Sequence, residues 1–339
     1  MTTIYLVRHG EAEGNAFRRI HGQYDSILTP TGFAQVEAVK ERFREIPVDA
    51  CFSSNLTRTS LTARSVYVPK GLPLQRSPAF REINLGRWED VPFGYLETFE
   101  AEDMRRFNRD PVAWHVEGSE TFPEYTGRFI AGMEEAAGRY PGGTVAIFCH
   151  GAVLRGVLTR LFFDGDCSRV PYCDNTAVSK LFWDGGRFTY EYLNDNSHVP
   201  PHLSTFARQK WWRQGEKRDF NLWYAPLTEL PLGTPGLATF AAMLGSTPVG
   251  LLSLDPRQGL ITELYLLPEH RGKSLEDQFL GQATSCLRTW GHTSMRADRT
   301  QVTPPEVLDR YGFHREGDFW AVNIDPKIYH WETAPAGGK

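Results

Sequence analysis

The sequence predicts an α/β fold: a doubly wound, mostly parallel sheet in the first part of the chain and a second, α+β domain in the rest. Short apolar runs alternate with helical periodicities over the first 195 residues, which is typical of successive βαβ units. The 339 residues exceed what one core usually supports. A cluster of Asn, Asp and Ser at 194–197, followed by two prolines, marks a boundary. We therefore expect domains at 1–196 and 220–333, joined by a linker and connecting helix at 197–219.

The first domain is predicted to open with a strand at residues 4–7, because this apolar run of β-branched and aromatic residues suits a strand buried on both faces. A helix follows, with Thr29 as its N-cap and Pro30 at its first position. The same reasoning predicts strands at 50–52, 75–80 and 144–149, helices after residue 54, over 95–139 with breaks near 110 and 123, and over 152–163, and two closing strands at 177–183 and 188–193.

The remaining chain reads as a connecting helix and an α+β domain. The connecting helix is predicted at 203–217 and carries the aromatic residues Phe206, Trp211 and Trp212. Residues 334–339 are small and polar, so we expect a frayed end. Between these, strands are predicted at 221–226, 237–244, 248–254, 260–266, 295–298 and 320–324, and helices at 275–290 and 305–311.

Composition narrows the functional class. The net charge of −4 gives no reason to expect a nucleic acid or an acidic membrane surface as partner. No apolar run approaches a membrane span, and the first one is short and ends at Arg8, unlike a signal peptide. Five cysteines at scattered spacings, without a CxxC pair, indicate free thiols in a reducing compartment. We expect a cytoplasmic protein.

Charged chemistry begins where two predicted strands end. His9 and His150 each follow an apolar run, Arg8 precedes His9, and Arg58 lies in the helix after a third strand. Ligands of open α/β sheets bind beyond the carboxyl ends of the strands, so these side chains should converge. Guanidinium forks bind phosphoryl oxygens through paired hydrogen bonds that lysine does not offer. The pattern predicts an anion site.

The same residues suit phosphoryl transfer. A neutral imidazole can attack phosphorus, and neighbouring cations keep His9 unprotonated. The departing alkoxide needs a proton, which a carboxyl group with a raised pKa supplies. Glu82, in a charged loop, is the candidate acid, although Glu11 and Glu89 lie in similar company and the residues alone leave this choice open.

Five blocks in order resemble the histidine phosphatase (phosphoglycerate mutase-like) superfamily over residues 1–195. They are LVRHGE at 6–11, GQYD at 22–25, LTPTG at 28–32, SSNLTRT at 53–59 and CHG at 149–151. The resemblance implies that His9 becomes the phosphohistidine and that Glu82, within REINLGRW at 81–88, donates the proton. It also implies that no metal is needed and that the phosphoryl group is bound by Arg8, Arg58 and His150, with help from Asn15.

Two further residues join the predicted substrate-binding set. Gly151 follows His150, and Gln23 lies in the loop beside the first strand, where it equally fits a loop brace. Asn15 also fits a helix or turn cap. The expected partner is a small phosphorylated metabolite.

Mutases of the superfamily carry an arginine-rich stretch directly after the acid. This chain has Ile83 to Trp88 there, so transfer to water is the preferred interpretation. A phosphoglycerate mutase and a non-catalytic phospholigand sensor are the alternatives.

Residues 248–313 resemble a GNAT acetyltransferase, on the strand and turn ending LLPEHRGK at 266–273 and the YGF at 311–313. The resemblance implies a coenzyme A pyrophosphate held at the turn formed by Arg271, Gly272, Lys273 and Ser274.

Two departures argue against that cofactor. Glu276 places a carboxylate near the pyrophosphate, and Leu308 replaces the tyrosine that many members use as an acid. We expect a domain that covers the phosphatase pocket or makes a dimer contact, with a bifunctional phosphatase/N-acetyltransferase as the alternative.

Overall fold

In a computed structural model, the chain forms two β-sheets, one in each half of the sequence. The structure describes residues 1–209, 221–227 and 236–329. Trp211, Trp212 and the predicted frayed end lie outside the described residues.

The first sheet has six strands in the order β3-β2-β4-β1-β5-β6. The first four strands in this order run parallel to one another, while β5 pairs antiparallel with both β1 and β6. The strands are β1 (Thr2–Arg8), β2 (Ala50–Ser54), β3 (Leu74–Ser77), β4 (Thr144–Cys149), β5 (Val178–Trp183) and β6 (Phe188–Asp195).

Helices join the parallel strands and cover the sheet. Thr29 caps one of them, since its hydroxyl accepts from the N–H of Gly32, 3.1 Å away. At the two predicted breaks, one helix ends at Arg109 and the next begins at Phe122. The helices are α1 (Glu13–Ala16), α2 (Pro30–Arg42), α3 (Thr57–Tyr67), α4 (Phe93–Phe99), α5 (Ala101–Arg109), α6 (Phe122–Gly138) and α7 (Gly151–Phe162).

Three local features differ from the prediction. The strand expected at 75–80 ends at Ser77, because Ser77 caps a 3-10 helix, Pro78–Phe80. The closing strands do not extend the parallel arrangement, since a short turn joins β5 and β6 and such a connection requires antiparallel strands. The one-turn helix α1 was not predicted.

Alternation along β1 explains why both faces of the sheet are covered. Ile4 and Leu6 belong to one apolar cluster, and Tyr5 and Val7 belong to another. Because successive side chains of a strand point to opposite faces, these clusters lie on the two sides of the sheet. The central strands β1 and β4 are therefore buried along most of their length.

The second half is a sheet-rich domain with the strand order β13-β14-β11-β10-β9-β8-β7, and β12 paired to β10. The short strands β12 and β13 were not predicted. The elements are α8 (Thr205–Gln209), β7 (Leu222–Pro226), β8 (Ala238–Leu244), β9 (Thr247–Asp255), β10 (Leu260–Leu266), α9 (Glu276–Thr289), β11 (Ser294–Ala297), β12 (Val302–Thr303), α10 (Glu306–Arg310), β13 (His314–Glu316) and β14 (Phe319–Asn323).

The two halves share an apolar cluster. Phe279, Leu280 and Ala283 of α9 pack in the core of the second half, and Ala16 and Phe17 of the first half belong to the same cluster. The contact between the two halves is therefore part of the hydrophobic core of the second half.

No helix within the described ranges is long and apolar enough to cross a bilayer. All five cysteines lie in those ranges, as free thiols.

The central strand gives a stability prediction. Ile147 of β4 is fully buried, so Ile147→Ala should lower the free energy of unfolding by about 2–5 kcal/mol through lost burial and the cavity left behind. Val68→Ala, at a residue that is 52% exposed, should change it by no more than about 0.5 kcal/mol. Chemical denaturation measures both, and equal stability of the two variants would contradict the assignment of β4 to the core.

Candidate active site

The two predicted histidines meet at the carboxyl edge of the first sheet. Arg8 of β1 is in register with Cys149 of β4, so the residues that follow them are neighbours. The N–H of His9 donates to the carbonyl of Cys149 at 3.0 Å, and the rings of His9 and His150 are 5.2 Å apart between centroids. Strand pairing alone therefore brings the two imidazoles together.

His9 is held in one tautomer. Its Nδ1 lies 2.6 Å from the carbonyl oxygen of Gly10, which only accepts hydrogen bonds, so Nδ1 carries the proton and Nε2 keeps its lone pair. Burial lowers the pKa of His9 well below 6.5, and the charges of Arg58 and Arg8 lower it further. His9 is therefore a neutral imidazole with a nucleophilic nitrogen.

His150 is fully buried, yet neither ring nitrogen has a hydrogen-bond partner among the described residues. Its pKa is well below 6.5 because of burial, Arg58 and His9. Buried polar atoms in native proteins are normally bonded, so two unpartnered nitrogens at this position point to a ligand.

Both predicted arginines keep their positive charge available. Arg58, in the first turn of α3, donates to the carbonyls of Tyr24 at 2.9 Å, Gly22 at 2.6 Å and His21 at 3.3 Å. Arg8 donates to the carbonyl of Cys173, and its Nε has no partner among the described residues. Within the ranges that the structure describes, neither side chain forms an ion pair, although Asp25, Glu82 and Glu89 lie near enough to act electrostatically on Arg58.

The structure separates the three candidate acids. Glu89 accepts from the N–H groups of the loop at 22–24 and of Leu85, so it is a loop brace. Glu11 is bonded to Thr29, Thr205 and Arg208 away from the site. Of these three carboxylates, Glu82 is the one on the cavity wall.

Glu82 sits at the N-terminus of α7. Its Oε1 accepts from the N–H of Val153 at 2.6 Å and of Ile83 at 3.0 Å, and its Oε2 accepts from Ala152 at 3.0 Å. Burial raises its pKa above 4.5 despite these bonds, which act in the opposite direction. Since a carboxylate oxygen has two lone pairs, Oε2 has one left for a proton.

Asn15 is both a cap and a wall residue. Its Oδ1 accepts from the N–H of Ala12 and from the amide of Asn175, each at 3.1 Å, which leaves its own amide N–H groups for the cavity. Asn175 also donates to the carbonyl of His9 at 3.1 Å. Sequence reasoning missed Asn175, because the loop at 171–176 shows neither periodicity nor a motif.

Gln23 was predicted to bind substrate, but the structure does not place it on the cavity wall. Its amide donates to the carbonyl of Glu82 at 3.3 Å and accepts from Arg81 at 3.2 Å, so both ends brace the loop. Gly151 does line the cavity. A Cβ there would lie 2.9 Å from Nε of Arg8, so glycine lets that arginine lie against the turn.

One end of a cavity of about 800 Å³ is formed by Arg8, His9, Asn15, Arg58, Glu82 and Gly151. His150 is not a wall residue, and its fully buried ring lies directly behind this end, against the ring of His9. Such a volume accommodates a whole organic ligand and not a phosphoryl group alone. Within the described ranges its lining extends to Gln209, so α8 covers the cavity and the second sheet does not. Its outer wall combines apolar side chains with four arginines. The apolar residues include Leu85, Phe93, Met104, Phe107, Val170 and Phe206, and the arginines are Arg18, Arg19, Arg109 and Arg155.

The residues predicted to hold coenzyme A lie in a turn of the second half, and none of them lines the cavity. Gly272 and Ser274 have φ of 71° and 60°, and Arg271 donates to the carbonyl of Leu266 at 2.9 Å. Lys273 donates to the carbonyl of Glu269 at 2.7 Å.

The helix that follows this turn opens with two carboxylates. Glu276 and Asp277 are buried in the first turn of α9 and share Arg310, with N···O distances of 3.2 and 2.7 Å. Burial raises the pKa of Asp277 to about 6.

The described residues contain no group of three His, Cys, Asp or Glu side chains arranged to hold a metal ion.

The fold brings two imidazoles and two guanidinium groups together at the carboxyl edge of a mostly parallel sheet. Residues 4–196 match the profile of the histidine phosphatase superfamily (branch 1). The chain belongs to this superfamily.

Individual proteins of similar sequence or structure support this membership. The chain is 32% identical over 215 residues to the probable phosphoglycerate mutase GpmB of Yersinia pestis, covering 61% of this chain and 100% of that protein. Among solved structures, YhfR of Bacillus stearothermophilus is 30% identical with a TM-score of 0.56, covering 59% of this chain and 100% of that one. The alpha-ribazole phosphatase of Shigella flexneri is 25% identical with a TM-score of 0.50, covering 57% and 96%.

The site makes a binding prediction. Arg58→Met should weaken the binding of inorganic phosphate about 10- to 100-fold, because it removes charge-assisted hydrogen bonds. Arg64→Met, on the exposed face of the same helix, is the matched control and should bind phosphate as the unmodified protein does. Calorimetric titration compares them, and equal affinity of the two variants would remove Arg58 from the anion site.

Proposed function

We propose that the chain is a phosphatase that hydrolyses phosphomonoesters through a phosphohistidine on His9, without a metal ion. One observation carries this proposal: His9, with its tautomer fixed by Gly10, lies beside His150, whose two buried ring nitrogens have no hydrogen-bond partner in the described part of the chain. The superfamily's phosphatase members support hydrolase activity in general.

In the first half of the reaction, the Nε2 lone pair of His9 attacks phosphorus and the bond from phosphorus to the ester oxygen breaks. Arg8, Arg58 and His150 hold the three non-bridging oxygens, where charge accumulates in the transition state. Glu82 gives its proton to the leaving oxygen, so that the alcohol departs neutral.

In the second half, water attacks the phosphorus of the phosphohistidine. The Glu82 carboxylate, now ionised, takes a proton from that water, and the bond from Nε2 to phosphorus breaks. Inorganic phosphate leaves, and both Glu82 and His9 return to their starting protonation states. A group that is protonated in one step and basic in the next requires a raised pKa, as burial gives Glu82.

The proposal of metal independence rests on the charge that the site already contains. Two guanidinium groups that donate to carbonyls, and form no ion pair with a described carboxylate, would supply fixed positive charge to the phosphoryl oxygens. Magnesium plays this part in many phosphoryl-transfer sites.

Transfer to water is favoured over a mutase reaction, although GpmB is named as a probable mutase. A mutase must hold a second anionic group of its substrate. The segment at 83–88, directly after the acid, lacks the arginine-rich stretch that mutases of the superfamily carry. In the outer cavity Arg19 is paired with Asp90, whereas Arg155 donates to the carbonyl of Asn108 and keeps its charge. The apolar residues of the outer wall suit a leaving group with apolar surface.

We propose that the second domain keeps a GNAT-like fold without acetyl transfer. The carboxylates of Glu276 and Asp277, with one arginine between them, repel a pyrophosphate from the N-terminus of α9. Leu308, at the position where many GNAT members carry a tyrosine acid, is fully buried in the apolar core.

The nucleophile is tested by His9→Asn with an alkyl phosphomonoester as substrate and a chelator present. The unmodified protein should turn over the ester and form an acid-labile phosphohistidine on His9, whereas the variant should do neither, because asparagine offers no nucleophilic nitrogen. Rapid-quench labelling with ³²P-ester followed by peptide mapping measures the intermediate.

His202→Asn is the control, since His202 lies in an exposed turn outside the site. Turnover that survives in His9→Asn would exclude His9 as nucleophile. An unmodified protein that binds phosphate but never turns over would be a phospholigand sensor.

The acid is tested by the pH dependence of Glu82→Gln. In the unmodified protein, kcat/KM for alkyl esters should fall as the pH rises through the pKa of Glu82, which burial places above 4.5, because the ionised carboxylate has no proton to give. The amide should lower kcat about 10²- to 10⁴-fold and abolish this decline. Aryl esters, whose leaving oxygen needs no proton, should be affected less. An unchanged pH profile in Glu82→Gln would assign the acid elsewhere.

A further inference from the structure

We propose that helix α9 of the second domain positions the phosphatase site, by holding the loop at 13–24 that carries Asn15 and the carbonyls bonded to Arg58. The residues that do this are Gln282, Ser285 and Arg288. The proposal rests on the proposed function for its catalytic readout, but its binding readout does not.

The three residues form one stripe of α9 with Gly281. Positions 281, 282, 285 and 288 follow the helical spacing that places side chains on one face. That face meets the first domain closely, since a Cβ on Gly281 would lie 2.5 Å from Cβ of Phe17. The stripe is polar and small, whereas the residues of α9 at 279, 280 and 283 are apolar and pack in the core of their own domain.

Arg288 is the first connection. Its two Nη atoms donate to the two carboxylate oxygens of Glu13, each at 2.9 Å, and both side chains are largely buried. Glu13 opens α1, the single turn that contains Asn15. The Arg288 guanidinium also lies over the ring of Tyr24, 5.9 Å from its centroid, and the carbonyl of Tyr24 accepts from Arg58.

Arg19 and Asp90 form the second connection. Arg19 donates through Nε to Asp90 at 2.7 Å, through Nη1 to Gln282 at 2.8 Å and through Nη2 to Ser285 at 3.1 Å. The Ser285 hydroxyl in turn donates to Asp90 at 2.5 Å. Two side chains of α9 thus complete a buried ion pair of the first domain.

This ion pair touches the phosphoryl site. His21 Nε2 lies 3.2 Å from Asp90, and the carbonyl of His21 accepts from Arg58. Although burial alone would raise it, the pKa of Asp90 is lowered by the hydrogen bond from His21 and the charge of Arg19, so Asp90 stays ionised. A continuous set of hydrogen bonds therefore runs from α9 to the guanidinium group of Arg58.

Both connections reach residues that line the cavity. Asn15, Arg19 and His21 all line the cavity. Because a small displacement of a positioned group can lower the rate of reaction strongly, the stripe acts on the site without touching the substrate.

The experiment compares Arg288→Gln with Arg299→Gln in the full chain. Arg299 also forms a bidentate pair, with Asp309 at 2.7 Å, but on the exposed surface of the same domain. Arg288→Gln should weaken binding of inorganic phosphate and lower kcat/KM, each about tenfold, while the phosphohistidine still forms on His9. Arg299→Gln should stay within about twofold, since exposed pairs contribute little.

Two further variants separate positioning from loss of folding, which circular dichroism monitors. Ser285→Ala removes the bonds to Asp90 and Arg19 without leaving a charge unpaired, and should show the same effects at about threefold. In Arg288→Gln, adding Glu13→Gln should restore part of the affinity, because the buried carboxylate no longer lacks its partner.

Phosphate affinity and kcat/KM that are unchanged in both folded Arg288→Gln and folded Ser285→Ala would overturn the positioning role and leave the phosphatase assignment intact. Failure of the unmodified protein to form phosphohistidine would overturn the proposed function instead, and phosphate affinity in the variants would still decide whether α9 positions Arg58.

Discussion

The structure depends on how the charge of Arg58 is held. A buried guanidinium group must satisfy its N–H donors, and a carboxylate would do so by cancelling its charge. Here the carbonyls of His21, Gly22 and Tyr24 accept instead. Peptide oxygens satisfy donors but leave a net positive charge for the ligand. The loop at 21–24 must therefore present its carbonyls inward. Glu89 supports this because it accepts the N–H groups of Gly22 and Gln23, which lie on the other side of the peptides whose carbonyls belong to His21 and Gly22.

Burial and, after it, the charge of Arg58 set the protonation of the neighbouring imidazoles. Burial together with Arg58 keeps His9 and His150 neutral, because a third or fourth positive charge in the same volume would be strongly repelled. Burial acts in the opposite direction on Glu82 and raises the pKa of its carboxyl group. The backbone N–H groups at the start of α7 hold this carboxyl group in place. One environment thus combines a neutral imidazole with a carboxyl group of raised pKa, the pair that the proposed phosphoryl transfer to and from an imidazole requires.

Sequence reasoning predicted the centre of this site and not its supports. His9, His150 and Arg58 follow strands or open helices, and the rule that parallel strands end at one edge brings such residues together without further information. Gln23 and Glu89 carry polar groups that could equally bind a ligand, but they lie in loops. The role of a loop side chain depends on its hydrogen-bond partner, so only coordinates show whether it braces the loop or binds the ligand. Arg19 and Ser285 are separated by 266 positions, and nothing in the periodicity of either segment signals their contact. The short strand β12 was missed for the same reason, since it pairs with the distant β10. The strand β13 pairs with its neighbour β14 across a two-residue turn, and its three exposed residues give no apolar pattern to detect.

The second domain supports the loop whose carbonyls bond to Arg58. A hydrogen bond from a guanidinium group weakens steeply as the angle and distance to the carbonyl change, so the orientation of the peptides at 21–24 sets where Arg58 lies. Glu89 fixes these peptides from within the first domain, whereas Asp90, the next residue, is bonded by Ser285 of α9. Adjacent residues of one turn thus belong to different supports, one internal and one supplied by the second domain. A change in the packing of α9 would reach the phosphoryl site through Asp90 while Glu89 still holds the loop, so it would alter affinity and rate gradually and would not dismantle the site.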